Sequence, residues 1–339
     1  MYGMATIKDV AKLAGVTPST VSRVLNGKSP SAASDKTKEK IWKAVRETGY
    51  SVNEMARELR KPKNVDATQD HFIDCILARE LDYFLDPFLS SIRRVIEEEL
   101  FMNNYRLRAQ FGLSDLAEHV RSDSEKKGAA VIIGRIDAAN LKILKMIYTH
   151  LIYVGLQDLE LGIDSVMCSG YNAVTTLMDY LYSLGHRKIC YLGETKDEQR
   201  FNSYLDSQKR LQLPHTKQQI VDVLFTPSDS YVGLKKALDK GFDCTAILCA
   251  NDTSVVGVLK ALKEAHKDVP RDVSVVGIND VEDVRYLDPM ITTISFPTEE
   301  MGKHVVRLLL DRMEGKHYSP VKLYLPGQLI VRDSCMRVD

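Results

Sequence analysis

No run of this chain comes near the roughly 18 consecutive apolar residues that a membrane-crossing helix requires, although hydrophobic types fill 44% of its 339 positions. No charged-then-apolar leader opens it, so the sequence predicts a soluble, cytoplasmic protein. Cysteine is sparse: Cys75, Cys168, Cys190, Cys244, Cys249 and Cys335 show neither C-x-x-C nor a His/Cys spacing that binds zinc, and no metal is expected. Most of them fall in apolar runs such as Ala246-Ile247-Leu248-Cys249-Ala250, which predicts buried free thiols. Also missing are G-x-G-x-x-G, the P-loop, H-E-x-x-H and G-x-S-x-G, and with them the commonest signatures of dinucleotide, nucleotide, zinc and serine-hydrolase chemistry. No enzyme, catalytic residue or cofactor is therefore expected. The C-terminal residues carry no leucine heptads, so no tetramer-forming zipper is visible.

Net charge is absent too, but its distribution is uneven. Residues 1–63 carry 13 Lys and Arg against 6 Asp and Glu; the chain holds 46 of each, so the remainder carries 33 against 40. A basic head on an acidic body suits a polyanion gripped by the head alone.

Residues 6–27, TIKDVAKLAGVTPSTVSRVLNG, read as two short helices around a tight turn. Thr6 and Asp9 give a capping-box-like start, and Ile7, Val10, Ala11 and Ala14 keep helical spacing. Gly15 sits where a left-handed C-terminal residue is wanted, and Thr17-Pro18 supplies a fresh cap with proline at the first helical position. Val16, Val21, Val24 and Leu25 can form a small core, leaving Pro18, Ser19, Ser22 and Arg23 outward. A polar, basic face on the first turns of a second helix is what reading base edges in a major groove needs, although any small helical hairpin has one apolar and one polar face. Ser34 caps a third helix with Ile41, Ala44 and Val45 buried and Lys36, Lys38, Lys40 and Lys43 outward, some of them toward phosphates. Tyr50 to Arg60 predicts a further short helix capped by Asn53, with Met55, Ala56 and Leu59 on one side, marginal alone in water. Polar residues through Asp70 close a linker, and a domain boundary near residue 65 follows.

From Phe72 onward short apolar runs alternate with helical stretches. Strands are predicted at 72–77, 105–110, 129–133, 151–154, 188–192, 220–224, 245–249 and 273–277, with helices at 87–103, 171–184 and 253–265 among those between them. Such alternation over so long a stretch predicts parallel, doubly wound sheets in two similar lobes, with ligand outside the carboxyl ends of the strands. Arg200, Asn251-Asp252 and Asn279-Asp280 follow predicted strands and offer the forks and amides that suit a ligand rich in hydroxyls, though polar residues there also serve as helix caps. Phe225 and Tyr231 could wall a sugar ring.

The 6–27 stretch closely resembles the N-terminal helix-turn-helix of the lac repressor/gal repressor family. Residues from about 70 to 335 look like the effector domain of the same family, on Asp86-Pro87-Phe88, Gly185-His186-Arg187-Lys188-Ile189, Ala250-Asn251-Asp252, Val273 to Asp280 and Thr292-Thr293-Ile294. The resemblance implies an α/β protein: a helix-turn-helix head (1–50), a hinge helix and linker (51–70), and a two-lobed, periplasmic-binding-protein-like body (71–339) whose lobes cross near 164, 292 and 325. It puts DNA contacts at Thr17, Pro18, Ser19, Thr20, Ser22, Arg23 and Asn26. Asn53, Met55 and Ala56 would fold and pair in the hinge, and Leu59 would enter the minor groove. Effector contacts fall on Arg200, Asn251, Asn279, Phe225, Asp86 and Phe88, while His186 belongs to a structural turn. The sequence departs from the family at Val52, where many members have proline, and at Gly155 and Asn279, where acidic residues are common. Phe225-Thr226 and Tyr231 resemble members that regulate galactoside use.

The expected protein is a homodimeric transcriptional repressor that binds double-stranded operator DNA and is released by a mono- or disaccharide. The alternatives are a purine-type regulator that needs its ligand to bind DNA, a transporter's binding module, or a cytoplasmic sugar-modifying enzyme. Arg23→Ala is expected to cost about 1–3 kcal/mol of operator affinity and to leave binding to random duplex largely intact. Gel shifts on both DNAs check this, and equal losses would remove the base contact.

Overall fold

The computed structural model describes residues 7–18, 20–21, 37–38, 40–41, 43–44, 71–78, 86–112, 127–157, 162–214 and 216–338. The chain divides into two compact units between Gln69 and Asp70. In the smaller unit, α1 (Ile7–Ala14) buries Val10, Ala11 and Ala14 against Val21, Ile41 and Ala44, with Val16 packed alongside. Gly15 takes φ +66°, which ends the helix, and the Thr17 hydroxyl and carbonyl both accept from the Thr20 N–H, at 3.3 and 2.9 Å. Pro18, Thr20 and Val21 are helical, so a new helix starts where the Thr-Pro signal puts it.

The larger unit holds two six-stranded sheets. The first orders its strands β2 (Tyr105–Gly112), β1 (His71–Leu77), β3 (Lys127–Ile133), β4 (Tyr148–Gly155), β5 (Asp164–Met167) and β11 (Lys322–Tyr324). The second orders β7 (Ile220–Asp222), β6 (Ile189–Gly193), β8 (Ala246–Cys249), β9 (Ser274–Asn279), β10 (Thr292–Ser295) and β12 (Gln328–Ile330). Among the described residues every pairing is parallel except β10 with β12. The two sheets share one winding order, which puts a topological switch point at the carboxyl end of each.

Parallel strands covered on both faces are apolar throughout, and Val131, Ile132 and Ile133 are all buried. Ile73, Cys75, Leu77, Val131 and Ile133 meet α2 (Pro87–Met102) and α8 (Thr298–Met313) on one face; Ile76, Ala130 and Ile132 meet α3 (Ala138–Ile147) on the other. The second lobe is wrapped by α4 (Gly170–Ser183), α5 (Gln199–Arg210), α6 (Pro227–Asp239) and α7 (Asp252–Glu264). The chain changes sheet at 168–169, 296–297 and 325–327. Residues 164 and 292, where crossings were expected, are the first residues of β5 and β10, the strands that lead into them. Asp164 accepts from Arg312 Nε (2.9 Å), Arg312 Nη2 (2.7 Å) and the Val321 N–H (2.8 Å), tying the end of α8 and the approach to β11 into the first lobe.

All six cysteines are free and five are buried, as their apolar surroundings predict. Among the described residues no helix is long and apolar enough to cross a membrane.

Two features of the second lobe carry stability predictions. At Gly257 an added Cβ would lie 2.0 Å from the Pro227 carbonyl oxygen and 2.8 Å from the Tyr231 nitrogen, so α6 and α7 touch through backbone there. Gly257→Ala is expected to force the helices apart and lower unfolding free energy by about 1–3 kcal/mol, measured by denaturant titration. Asp252 is fully buried, accepting from the Thr293 hydroxyl (2.8 Å) and the Val281 N–H (3.0 Å), with no cation against it in the described residues. Burial pushes its carboxyl up from 3.8 to about 7, so the native state holds a proton that the unfolded chain releases. That contribution is fully present below about pH 4 and lost as pH rises through 7. Thermal melts from pH 5 to 8.5 are expected to show this loss in the wild type and not in Asp252→Asn.

Candidate functional site

Between the two lobes lies a cleft of about 250 Å³. Its walls are the segments that physical reasoning places there: the carboxyl ends of β3 and β4 and the start of α2 from the first lobe, and the residues after β6 and β7 with the starts of α5 and α6 from the second. Each of these helices begins with a side-chain cap. Asp86 accepts from the Phe88 N–H (2.9 Å), Glu198 from the Arg200 N–H (3.0 Å) and Thr226 from the Asp229 N–H (3.1 Å).

Arg200 is the hub of the second lobe's wall. Its Nε and Nη2 donate to the two oxygens of Glu198 at 2.8 and 2.9 Å, its Nη1 donates to the Ala250 carbonyl at 2.7 Å, and its guanidinium lies 4.4 Å from the centre of the Phe225 ring. Glu198 also pairs with Arg135, which follows β3 in the first lobe and reaches Glu194 at 3.2 Å. This chain of four charges spans the cleft. Burial alone would raise the Glu198 carboxyl, but the charges and hydrogen bonds of Arg200, and then Arg135, outweigh it and hold it at about 2. Burial works against the Arg200 charge in the same way, and Glu198 overcomes it, so the guanidinium stays protonated. Phe88 lines the first lobe's side and packs 5.8 Å, centre to centre, from Phe296 in one of the crossings.

Of the residues expected to hold a ligand, the structure gathers Arg200, Phe225, Asp86 and Phe88 around the cleft. Asn251 and Asn279 are not part of its lining. Asn251, 1% exposed, caps α7 by accepting from the Ser254 N–H (3.1 Å). Asn279 is 6% exposed at φ +117°, and its Oδ1 finds no hydrogen-bond partner in the described residues. Tyr231 is also elsewhere: its hydroxyl donates to Glu264 (2.7 Å) on the outer face, because α6 turns it toward α7 and away from the sheet edge. Asp280 pairs with Arg285 and Arg332, and His186 is buried against the Thr245 hydroxyl (2.9 Å), so both are structural. A side chain at 155 has no room, since its Cβ would lie 2.3 Å from the Tyr153 hydroxyl.

Arg135, Glu194 and Glu198 were not anticipated. Arg135, just beyond Ile133-Gly134, and Glu194, directly after Gly193, share with Arg200 a place after a strand's carboxyl end. Glu198 stands two residues from Arg200, a spacing that invites one side chain to clamp the other. Among the described residues no group of three or more His, Cys, Asp and Glu could hold a metal ion.

For the head, Thr17 and Pro18 are exposed and Thr20 is half-buried on the start of the second helix. Ser19, Ser22, Arg23, Asn26, Asn53, Met55, Ala56 and Leu59 lie outside the described residues.

Comparison with known proteins agrees with this anatomy. Residues 6–53 match the description "Bacterial regulatory proteins, lacI family", and residues 178–335 match "Periplasmic binding protein-like domain". The chain is 28% identical to the HTH-type transcriptional repressor MelR of Bacillus subtilis (strain 168), over 98% of both chains. It is also 28% identical to the ribose operon repressor of Haemophilus influenzae, again over 98% of both. Among solved structures it is similar to a transcriptional regulator CelR–cellobiose complex, with a TM-score of 0.68 and 25% identity over 97% of this chain and 99% of that one. A head that matches the lacI-family description and a body that matches the periplasmic-binding-protein-like description thus stand on one chain that is similar over nearly its whole length to these repressors.

Proposed function

We propose that this chain is a sequence-specific DNA-binding transcriptional repressor of sugar-utilisation genes, released from its operator by a small sugar. One observation carries the reading: a helix-turn-helix head of the lacI description stands on the same chain as a two-lobed body whose inter-lobe cleft is lined by Arg200, Phe225, Glu198 and Asp86. The ribose operon repressor and the cellobiose-bound regulator, each similar over almost the whole chain, support a sugar as the effector class.

In this reading two chains form a homodimer on a roughly palindromic site. Each second helix enters a major groove, with Thr17, Pro18, Ser19, Thr20, Ser22, Arg23 and Asn26 toward the DNA. Asn53, Met55 and Ala56 set and pair the hinge helices, and Leu59 wedges a base step in the minor groove between them. In the body, a mono- or disaccharide lies against the Phe225 ring, takes hydrogen bonds from the free N–H edges of Arg200, and meets Asp86 and Phe88 across the cleft. A sugar touching both lobes stabilises their closed arrangement. If that arrangement binds operator less well, linkage makes DNA and sugar oppose each other by equal factors.

Arg200→Ala is expected to weaken the sugar's effect on operator binding at least about tenfold, the loss of one or two hydrogen bonds to a charged group, with sugar-free operator affinity nearly unchanged. Gel shifts with titrated sugar measure both. Release at the wild-type sugar concentration would take Arg200 out of the ligand's contacts, and a sugar that tightens operator binding would reverse the sign of the switch.

A further inference from the structure

The cleft's charges say more about its ligand than its shape does. We infer that it is built for an unphosphorylated, hydroxyl-rich sugar and rejects the phosphate esters of the same sugars, with Glu198 as the residue that sets the discrimination. The inference rests on the reading of the cleft as the effector site.

Among the described residues five carboxylates line the cleft (Asp86, Glu194, Asp197, Glu198 and Asp229) against two guanidiniums, with no lysine or histidine beside them. Neither guanidinium has uncompensated charge to offer a phosphate. Arg200 is held side-on by both oxygens of Glu198 and by the Ala250 carbonyl, and Arg135 by Glu194 and Glu198. The starts of α2, α5 and α6 all open onto the cleft, and a helix start is where an anion would settle. Here those places are taken by the chain itself. The Asp86 and Glu198 carboxylates cap α2 and α5, and Thr226 caps α6 with Asp229 in its first turn.

What the lining offers in quantity is carboxylate lone pairs. A sugar hydroxyl can donate to these in short, charge-assisted hydrogen bonds while accepting from the remaining arginine N–H groups. A phosphate brings only acceptors and negative charge; it would meet arginines whose charge Glu198 and Glu194 already neutralise, and would face the other carboxylates with nothing to donate. Glu198 is central to this: it neutralises Arg200, partners Arg135 and caps α5 at once.

Isothermal titration of the full-length chain tests the inference with ribose, galactose, lactose and cellobiose, each beside its phosphate ester, and with inorganic phosphate alone. At least one uncharged sugar is expected to bind, its ester roughly 100-fold more weakly, and phosphate not at all, since like charges across an interface cost several kcal/mol. Glu198→Gln, which keeps the shape and removes the charge, is expected to narrow that ratio to about tenfold or less, and Glu198→Asp to preserve most of it. An ester that binds wild type as tightly as its sugar overturns the inference, as does binding of none of the uncharged sugars. An unchanged ratio in Glu198→Gln overturns the role of Glu198; if that variant does not fold, the ratio in Glu198→Asp and wild type decides the ligand class alone. Sugar-free operator binding is measured on the same preparations. If it is intact while the ratio fails, only the ligand class is wrong; if preference for operator is missing in wild type, the repressor reading itself fails.

Discussion

Taking a carboxylate out of water costs several kcal/mol unless positive charge and hydrogen bonds meet it, and Glu198, 5% exposed, is met from two directions. One partner, Arg200, belongs to its own lobe and stays with it. The other, Arg135, belongs to the opposite lobe, so the bond between them exists only while the lobes are together. Closing the cleft and completing the Glu198 environment are therefore one event. With the carboxyl held at about 2, this bond keeps its charge over the whole physiological pH range. Asp252, buried deeper in the same lobe with no cation against it among the described residues, is raised instead to about 7. Two buried acids of one lobe thus behave oppositely, because one has arginines against it and the other has only a hydroxyl and backbone N–H groups.

The site sits where it does because the two sheets are wound alike. In each, the order reverses beside the first strand of the lobe, and the loops there diverge and leave a crevice. The three crossings set these two crevices face to face, and the helix starts that flank them carry capping side chains. Asp86, Glu198 and Thr226 are caps first, fixed by the needs of their helices, and wall residues as a result. A surface so constrained is preorganised for a ligand that must be oriented by hydrogen bonds.

Much of this was legible in the sequence. All eight strands expected from apolar runs are present, with ends shifted by at most a few residues, because a parallel strand buried on both faces needs an unbroken apolar run. β5, β10, β11 and β12 were not separately visible. They are three or four residues long and mix polar types, as in Thr292-Thr293-Ile294-Ser295, so they have no period to detect. In the cleft, Arg200 and Phe225 could be found from their place after strands, and Asp86 and Phe88 from the resemblance. Arg135 has the same place after a strand and Glu198 stands beside Arg200, but that these two pair with each other was not legible, since they belong to lobes distant in sequence. Asn251 shows the converse: its position after β8 is consistent with a ligand contact, yet its amide oxygen is spent on the Ser254 N–H.

The last crossing has a consequence for how such a chain is made. The first lobe draws α8 and β11 from residues 298–324, and Asp164 holds both in place, while the second lobe's edge strand β12 follows immediately after. Neither half is a contiguous stretch of sequence. During synthesis the first-made strands must wait, with one sheet face uncovered by α8 and one edge unpaired, until residues 298–324 have left the ribosome. A premature stop anywhere before the end of β11 would thus spoil the earliest-made lobe as surely as the latest.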